Sequence, residues 1–234
     1  MNKHTQKTGE DCLLETFGET VKAPYGDFAA IGRLIAATHD AENLEQIVNW
    51  LSQYPQARSA LQERITVGDI HLQALHRLNP NTFGYAYAEH LLSNGLQPIK
   101  LPVGGDDGNY VIAHLTETHD IWHTITGFDT SIVGEIKLQA FVTAQLRFSR
   151  FSLAMLAKNI LKTAIDAVEE TEERLDAVTC GWYIGKQARP LFGVQWNTLW
   201  DMPLEQLRIE FNIIPYHDNT ASSSEYRPQY SAYM

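Results

Sequence analysis

Apolar residues recur at three- and four-residue intervals along nearly the whole chain, and almost nowhere in strict alternation. Leu44, Ile47, Val48 and Leu51 form one such run, Ile70, Leu72, Leu75 and Leu78 a second, and Leu204, Leu207 and Phe211 a third. A helical period cannot sit as a strand without placing half of its apolar groups in water, so the pattern predicts an all-α fold. Helix punctuation agrees: Asp27 and Asp40 stand where N-caps are needed, Glu42 and Glu45 suit a first turn, and Pro203 stands where a first turn tolerates proline. The spacing predicts helices over 27–37, 41–53, 56–65, 69–78, 82–93, 109–125, 131–165, 168–185 and 195–212. A straight helix over 131–165 would be about 50 Å long, against a radius of gyration of about 17 Å for a compact chain of this length. It is therefore expected to break around 147–152, where polar residues interrupt its apolar face. The irregular stretch over 94–108, with two prolines and several glycines, does not divide the chain, and 217–234 is polar and reads as a loose tail. The organisation expected is a single helical-bundle domain over 1–216.

With 44% hydrophobic and 20% charged residues, a chain of 234 residues can bury a sizeable core. A net charge of −10 gives no general attraction to nucleic acid, so none is expected as a partner. Cys12 and Cys180 form neither a CxxC motif nor a Cys/His cluster, which argues against a disulfide framework or a thiolate zinc site. The first ten residues carry no signal-type apolar stretch, and no uncharged apolar run reaches the ~20 residues of a membrane span. A cytoplasmic chain, peripheral at most on a membrane, is the expectation.

The chemistry-bearing cluster is His119-Asp120-Ile121-Trp122-His123. On a helix His123 lies about 40° and Asp120 about 100° around from His119, so all three can face one ion. A turn after Gly127 would start a second helix at Ser131 and return Glu135 towards the end of the first. Two imidazoles and one or two carboxylates suit zinc, iron or manganese, and magnesium where oxygen ligands dominate. Trp122 and Phe128 can wall the ion from water. The same histidine pair can instead stack or hydrogen-bond on a helix surface, and spacing alone does not choose. A zincin would carry glutamate where Asp120 stands, and a metal phosphohydrolase would need His39-Asp40 beside His119-Asp120.

The string 118–141 resembles the signature of the coenzyme Q biosynthesis protein four family: His-Asp-x-x-His, eleven residues, then Glu, met here by His119, Asp120, His123 and Glu135. Phe83-Gly84-x-x-Tyr87 resembles that family's Leu-Gly-x-x-Tyr step, and Gly181, Gly185, Trp196, Trp200 and Pro203-Leu204 resemble its C-terminal helices. The likeness covers roughly 70–212. It implies an all-helical fold and a divalent cation, zinc by family and magnesium, iron or manganese as alternatives, held by His119, Asp120, His123 and Glu135. It also implies removal of the C1 carboxylate of a polyprenylated hydroxybenzoate in ubiquinone formation. Asp120 and Glu135 are the candidate catalytic residues, with Asp120 or a water held by the ion as proton donor. Association with other quinone-biosynthesis enzymes at a membrane surface is implied as well.

A polyprenyl substrate needs an apolar tunnel, and Phe141, Val142, Phe148, Phe151 and Met155 are the candidate lipid-binding residues. Between Ile136 and Ile165 stand Lys137, Arg147, Arg150, Lys158 and Lys162 and no acidic residue. Such a segment can meet anionic headgroups or hold a prenyl phosphate; the alternative is a solvated face paired with the glutamates at 169–173. Two readings of function follow, a metal-dependent carboxy-lyase and a non-catalytic prenyl-lipid carrier or scaffold. The aromatic content points to self-association as a homodimer.

Overall fold

A computed structural model describes residues 9–38 and 40–214; His39 and the tail over 217–234 lie outside the described residues. Among these residues the chain forms eleven α-helices and no strand. They are α1 Gly9–Lys22, α2 Phe28–Thr38, α3 Ala41–Leu51, α4 Pro55–Glu63, α5 Leu72–Leu75, α6 Phe83–Ser93, α7 Asp107–Thr126, α8 Ile132–Leu146, α9 Arg150–Asp166, α10 Thr171–Gln187 and α11 Leu204–Glu210, with single 3-10 turns at Val168–Glu170 and Trp196–Thr198. The all-α reading holds.

The long predicted helix does break, at 147–149. Arg147 takes a positive φ of 52° at the end of α8, and Ser149 caps α9 by accepting from the Ser152 N–H at 3.1 Å. Helix α3 clamps the break: Asn43 donates to the Phe148 carbonyl at 2.5 Å, and Arg147 lies 4.3 Å above the Trp50 ring. Helix α1 is not among the predicted elements. Its short stripe of Leu13, Phe17 and Val21 is weakened by Gly18 and by acidic neighbours, yet Val21 is buried.

Two predicted helices shrink. The Glu117 carboxylate accepts from Val67 N–H at 3.0 Å and Gly68 turns at φ 82° just ahead of the helix expected over 69–78, which is reduced to α5 and local turns such as Arg77 N–H to the Ala74 carbonyl at 3.2 Å. The helix expected over 195–212 is interrupted where Phe83 and Gly84 donate to the Met202 and Trp200 carbonyls at 2.8 and 2.9 Å. A Cβ on Gly84 would stand 2.9 Å from that Trp200 oxygen, so only glycine admits the contact.

One buried cluster joins α6, α7, α8 and the C-terminal segment through Phe83, Tyr87, Ile121, Trp122, Phe141 and Trp196. A second joins α3, α4 and the start of α7 through Leu51, Leu61, Tyr110 and Phe192. Helices α8 and α10 pack closely: a Cβ on Gly181 would fall 2.0 Å from the Lys137 carbonyl oxygen. Helices α7 and α8, joined by five residues, are thereby fixed as a hairpin against a rigid base. No described helix is long and apolar enough to cross a membrane.

Candidate metal centre

The hairpin turn is built residue by residue to carry side chains at its mouth. Gly127 ends α7 in the left-handed conformation, φ 74°, and returns its N–H to the His123 carbonyl at 2.9 Å. Arg208 closes the same helix end, donating to the Ile125 and Thr124 carbonyls at 2.9 and 3.3 Å. Asp129 accepts from the Ser131 N–H and hydroxyl at 3.0 and 2.5 Å, and the Ser131 hydroxyl accepts from Gly134 N–H at 3.1 Å to start α8. A Cβ on Gly134 would collide with the Asp129 carbonyl oxygen at 2.0 Å. Glu135 therefore enters the first turn of α8, where a carboxylate complements the helix dipole.

This geometry brings His119, His123 and Glu135 together, with one donor atom of each within 4.8 Å of the others. His123 Nε2 stands 3.2 Å from Glu135 Oε1, and His119 Nε2 stands 3.9 Å from Glu135 Oε2. Asp120 is not one of the three convergent residues. Its Oδ1 lies 3.3 Å from His119 Nδ1, beside the cluster. Burial by itself would raise the Asp120 carboxyl, but contact with His119 and the nearby imidazoles outweigh it and hold it below the usual range.

His123 shows why the cluster suits a cation. Its Nδ1 faces the Phe128 carbonyl at 3.0 Å, and a carbonyl can only accept, so Nδ1 carries the hydrogen. In the neutral ring Nε2 is then a lone pair, buried and without a hydrogen bond, facing a carboxylate oxygen. Two acceptors in that position repel unless a proton or a metal ion lies between them. Burial opposes the proton, but the Glu135 carboxylate overrides burial and raises the His123 pKa. The donor set of two imidazoles and a carboxylate fits a divalent cation.

The two residues of the predicted aromatic wall lie in the buried core. Trp122 and Phe128 are buried and meet Phe141 edge-on at 5.7 and 6.5 Å. Tyr87 is buried in the same core, and burial, reinforced by Asp120 and Glu117, pushes its hydroxyl far up.

Sequence reasoning missed His90. It lies on α6 three residues beyond Tyr87 and seven beyond Phe83, on the buried face, and that spacing was the available signal. Its ring stacks on His123 at 5.6 Å and 23°, and its Nε2 is buried and unpartnered. Burial, then the His123 charge, lower its pKa. Tyr85, Glu89, His90, His123, Thr124 and Arg208 line a cleft of about 380 Å³ that opens beside the centre.

The candidate lipid residues are dispersed. Phe141 is wholly buried in the core, Val142 bridges the two clusters, Phe148 is half exposed against Trp50, and Phe151 and Met155 are half-buried. A separate apolar pocket of about 130 Å³ opens between α8, α9 and α10, lined by Ile136, Asn159, Ile160, Thr163, Arg174 and Leu175 among others. Of the second pair the phosphohydrolase reading needs, His39 lies outside the described residues, and the Asp40 carboxylate caps α3 at Asn43 N–H and pairs with Arg150.

Comparison with known proteins places this hairpin in context. The family model described as coenzyme Q (ubiquinone) biosynthesis protein Coq4 matches residues 13–217. The mitochondrial ubiquinone biosynthesis protein COQ4 of Kluyveromyces lactis is 28% identical over 169 residues, 69% of this chain and 49% of that protein. A mitochondrial COQ4 homolog from Xenopus laevis is 27% identical over 214 residues, 87% of this chain and 73% of that one. The match thus spans about half of the first relative's length. In fold, the chain resembles a crystal structure from Nostoc punctiforme PCC 73102 described as a candidate ubiquinone biosynthesis protein. The TM-score is 0.79 at 24% identity, covering 88% of this chain and 99% of that one.

Proposed function

The chain belongs to the coenzyme Q (ubiquinone) biosynthesis protein Coq4 family, and on that premise we propose that it acts in prenylquinone biosynthesis, removing the C1 carboxylate of a polyprenylated hydroxybenzoate. The observation that carries the reading is the buried, unpartnered His123 Nε2 set against the Glu135 carboxylate with His119 beside it. A divalent ion bound by these three residues supplies Lewis-acid polarisation of the substrate's carboxylate or ring oxygen.

The remaining work falls to the chain. Phe128 C=O fixes the His123 tautomer, and the short hairpin holds Glu135 at the end of α7. Asp120, held below the usual carboxylate range, is an anion at neutral pH. It orients His119, and it can give a proton to the ring carbon only after taking one from solvent. Trp122 and Phe128 exclude water from beneath the site, which strengthens its electrostatics. A prenyl tail gains about 0.8 kcal/mol for each buried CH2, and the apolar pocket bounded by Ile136, the neighbour of Glu135, supports a place for part of it.

A second reading rests on a different observation. Leu153, Ile160 and Ile165 on α9, Val168 in the turn that follows and Leu175 on α10 leave apolar surface exposed. Such a face suits a prenyl-lipid carrier or scaffold that meets a membrane, other quinone-pathway enzymes or a second copy of the chain. In that reading the centre clamps a phosphate or carboxylate headgroup.

Native mass spectrometry of the purified chain beside Glu135→Gln, followed by a CO2-release assay on prenylated hydroxybenzoate, separates the two. The expected result is bound metal and CO2 release in the wild type, both lost in the variant with helix content unchanged. Retained lipid without CO2 release supports the carrier, and full activity in Glu135→Gln overturns the site.

A further inference from the structure

Two buried ring nitrogens without hydrogen-bond partners stand at one cleft, His123 Nε2 and His90 Nε2. The first is accounted for by the cation site. The second is not, because His90 lies outside the group of convergent donors, and a buried polar atom left bare is destabilising. Its stack on His123 fixes the ring plane, while Glu89 on the same helix is occupied with His76 at 2.6 Å. Among the other polar groups of the cleft, Arg208 is engaged on the Ile125 and Thr124 carbonyls and on Glu205, and the Thr124 hydroxyl on the Asp120 carbonyl at 2.8 Å.

From this geometry we infer that His90 is a ligand-contacting residue, whose Nε2 hydrogen-bonds an oxygen of the aromatic acid that occupies the cleft against His123. The inference rests on the metal-centre reading and adds to it the residue that recognises the substrate's polar head. An aromatic acid suits this cleft because the stacked imidazoles and Tyr85, itself stacked on His76 at 4.8 Å, give it flat walls, and the unpartnered His90 Nε2 calls for an oxygen.

The test uses the full chain loaded with cobalt(II), read by its visible absorption, with 4-hydroxybenzoate as the probe. Wild-type protein is expected to bind cobalt and to change its spectrum on adding the probe. His90→Phe keeps a ring on His123; it should bind cobalt within about twofold of wild type and the probe about tenfold more weakly. His90→Gln, which returns an amide near the position of Nε2, should recover most of the loss. Equal probe affinity in His90→Phe, or no response to the probe in the wild type, overturns the inference while leaving the metal centre standing. An altered cobalt spectrum in His90→Phe before the probe is added means that His90 coordinates the ion and overturns it in another way. Failure of the wild type to bind cobalt removes the metal reading itself, and the inference with it.

Discussion

At the residue scale, the contact of His123 with Glu135 makes proton and metal competitors for one lone pair. In the metal-free chain the folded-state pKa of His123 lies above the ordinary value of 6.5. Stabilisation from the protonated pair is therefore complete below pH 6.5 and is lost as pH rises through the folded value. Metal affinity must move the other way, because the ion displaces that proton: it is expected to climb by up to about tenfold per pH unit over the same window and then level off. Zinc titrations against a chelator from pH 6 to 8.5, with thermal melts of metal-free protein alongside, check both slopes. A metal affinity that does not change with pH would remove His123 from the ligand set. The His-Asp-x-x-His spacing and the returning glutamate were legible because helix period and a short turn determine where those side chains point. The lesser place of Asp120 was not, since 100° around a helix is close enough to reach an ion or to miss it, and only the packing of α7 decides. His90 was hidden because its partner comes from α7, and no local pattern records which helices become neighbours.

At the scale of elements, the centre is only as well placed as α8, and α8 is seated by α10. Gly181 and Gly185 lie four residues apart on the face that meets α8, where Cβ atoms would fall 2.0 and 2.8 Å from the Lys137 and Phe141 carbonyl oxygens. Gly181→Ala must push the two helices apart, and we expect a cost of at least about 1–3 kcal/mol from overpacking. Lys137 is two residues from Glu135, so the same shift should weaken metal binding. Urea melts and zinc titrations of Gly181→Ala check the two effects together, and an unchanged metal affinity in a destabilised protein would show that α8 tolerates the displacement. Helices α2, α3, α6 and α7 were readable because their own caps and apolar stripes agree with their final surroundings, and α4 and α10 from their apolar stripes without a side-chain N-cap. The segments that became α5 and α11 were over-read for the opposite reason. The backbone ahead of α11 serves as partner to the start of α6, the α5 segment follows a Val67 N–H held by Glu117, and periodicity cannot report a hydrogen bond to a residue tens of positions away.

At the scale of the whole molecule, the basic run between Ile136 and Ile165 divides, with Arg147 and Arg150 exposed and its last two lysines turned inward. Lys158 and Lys162 are buried, and with Arg174 they surround the Tyr25 ring, at 4.4, 5.3 and 5.9 Å. The Tyr25 hydroxyl also accepts from Arg174 at 3.0 Å, while Lys162 pairs with Asp166 and Arg174 with Glu170. One aromatic ring between α1 and α2 thus ties the N-terminal pair of helices to α9 and α10. Tyr25→Leu keeps an apolar group but removes the ring face and the hydroxyl, leaving three buried cations with less to hold them. We expect it to cost about 2–3 kcal/mol, the sum of a cation–π contact and a hydrogen bond to a charged group. Because the clamp lies on helices that do not carry His119, His123 or Glu135, zinc affinity should stay at the wild-type value while the urea midpoint falls. A parallel loss of metal binding would show instead that the N-terminal helices and the metal hairpin unfold as one unit.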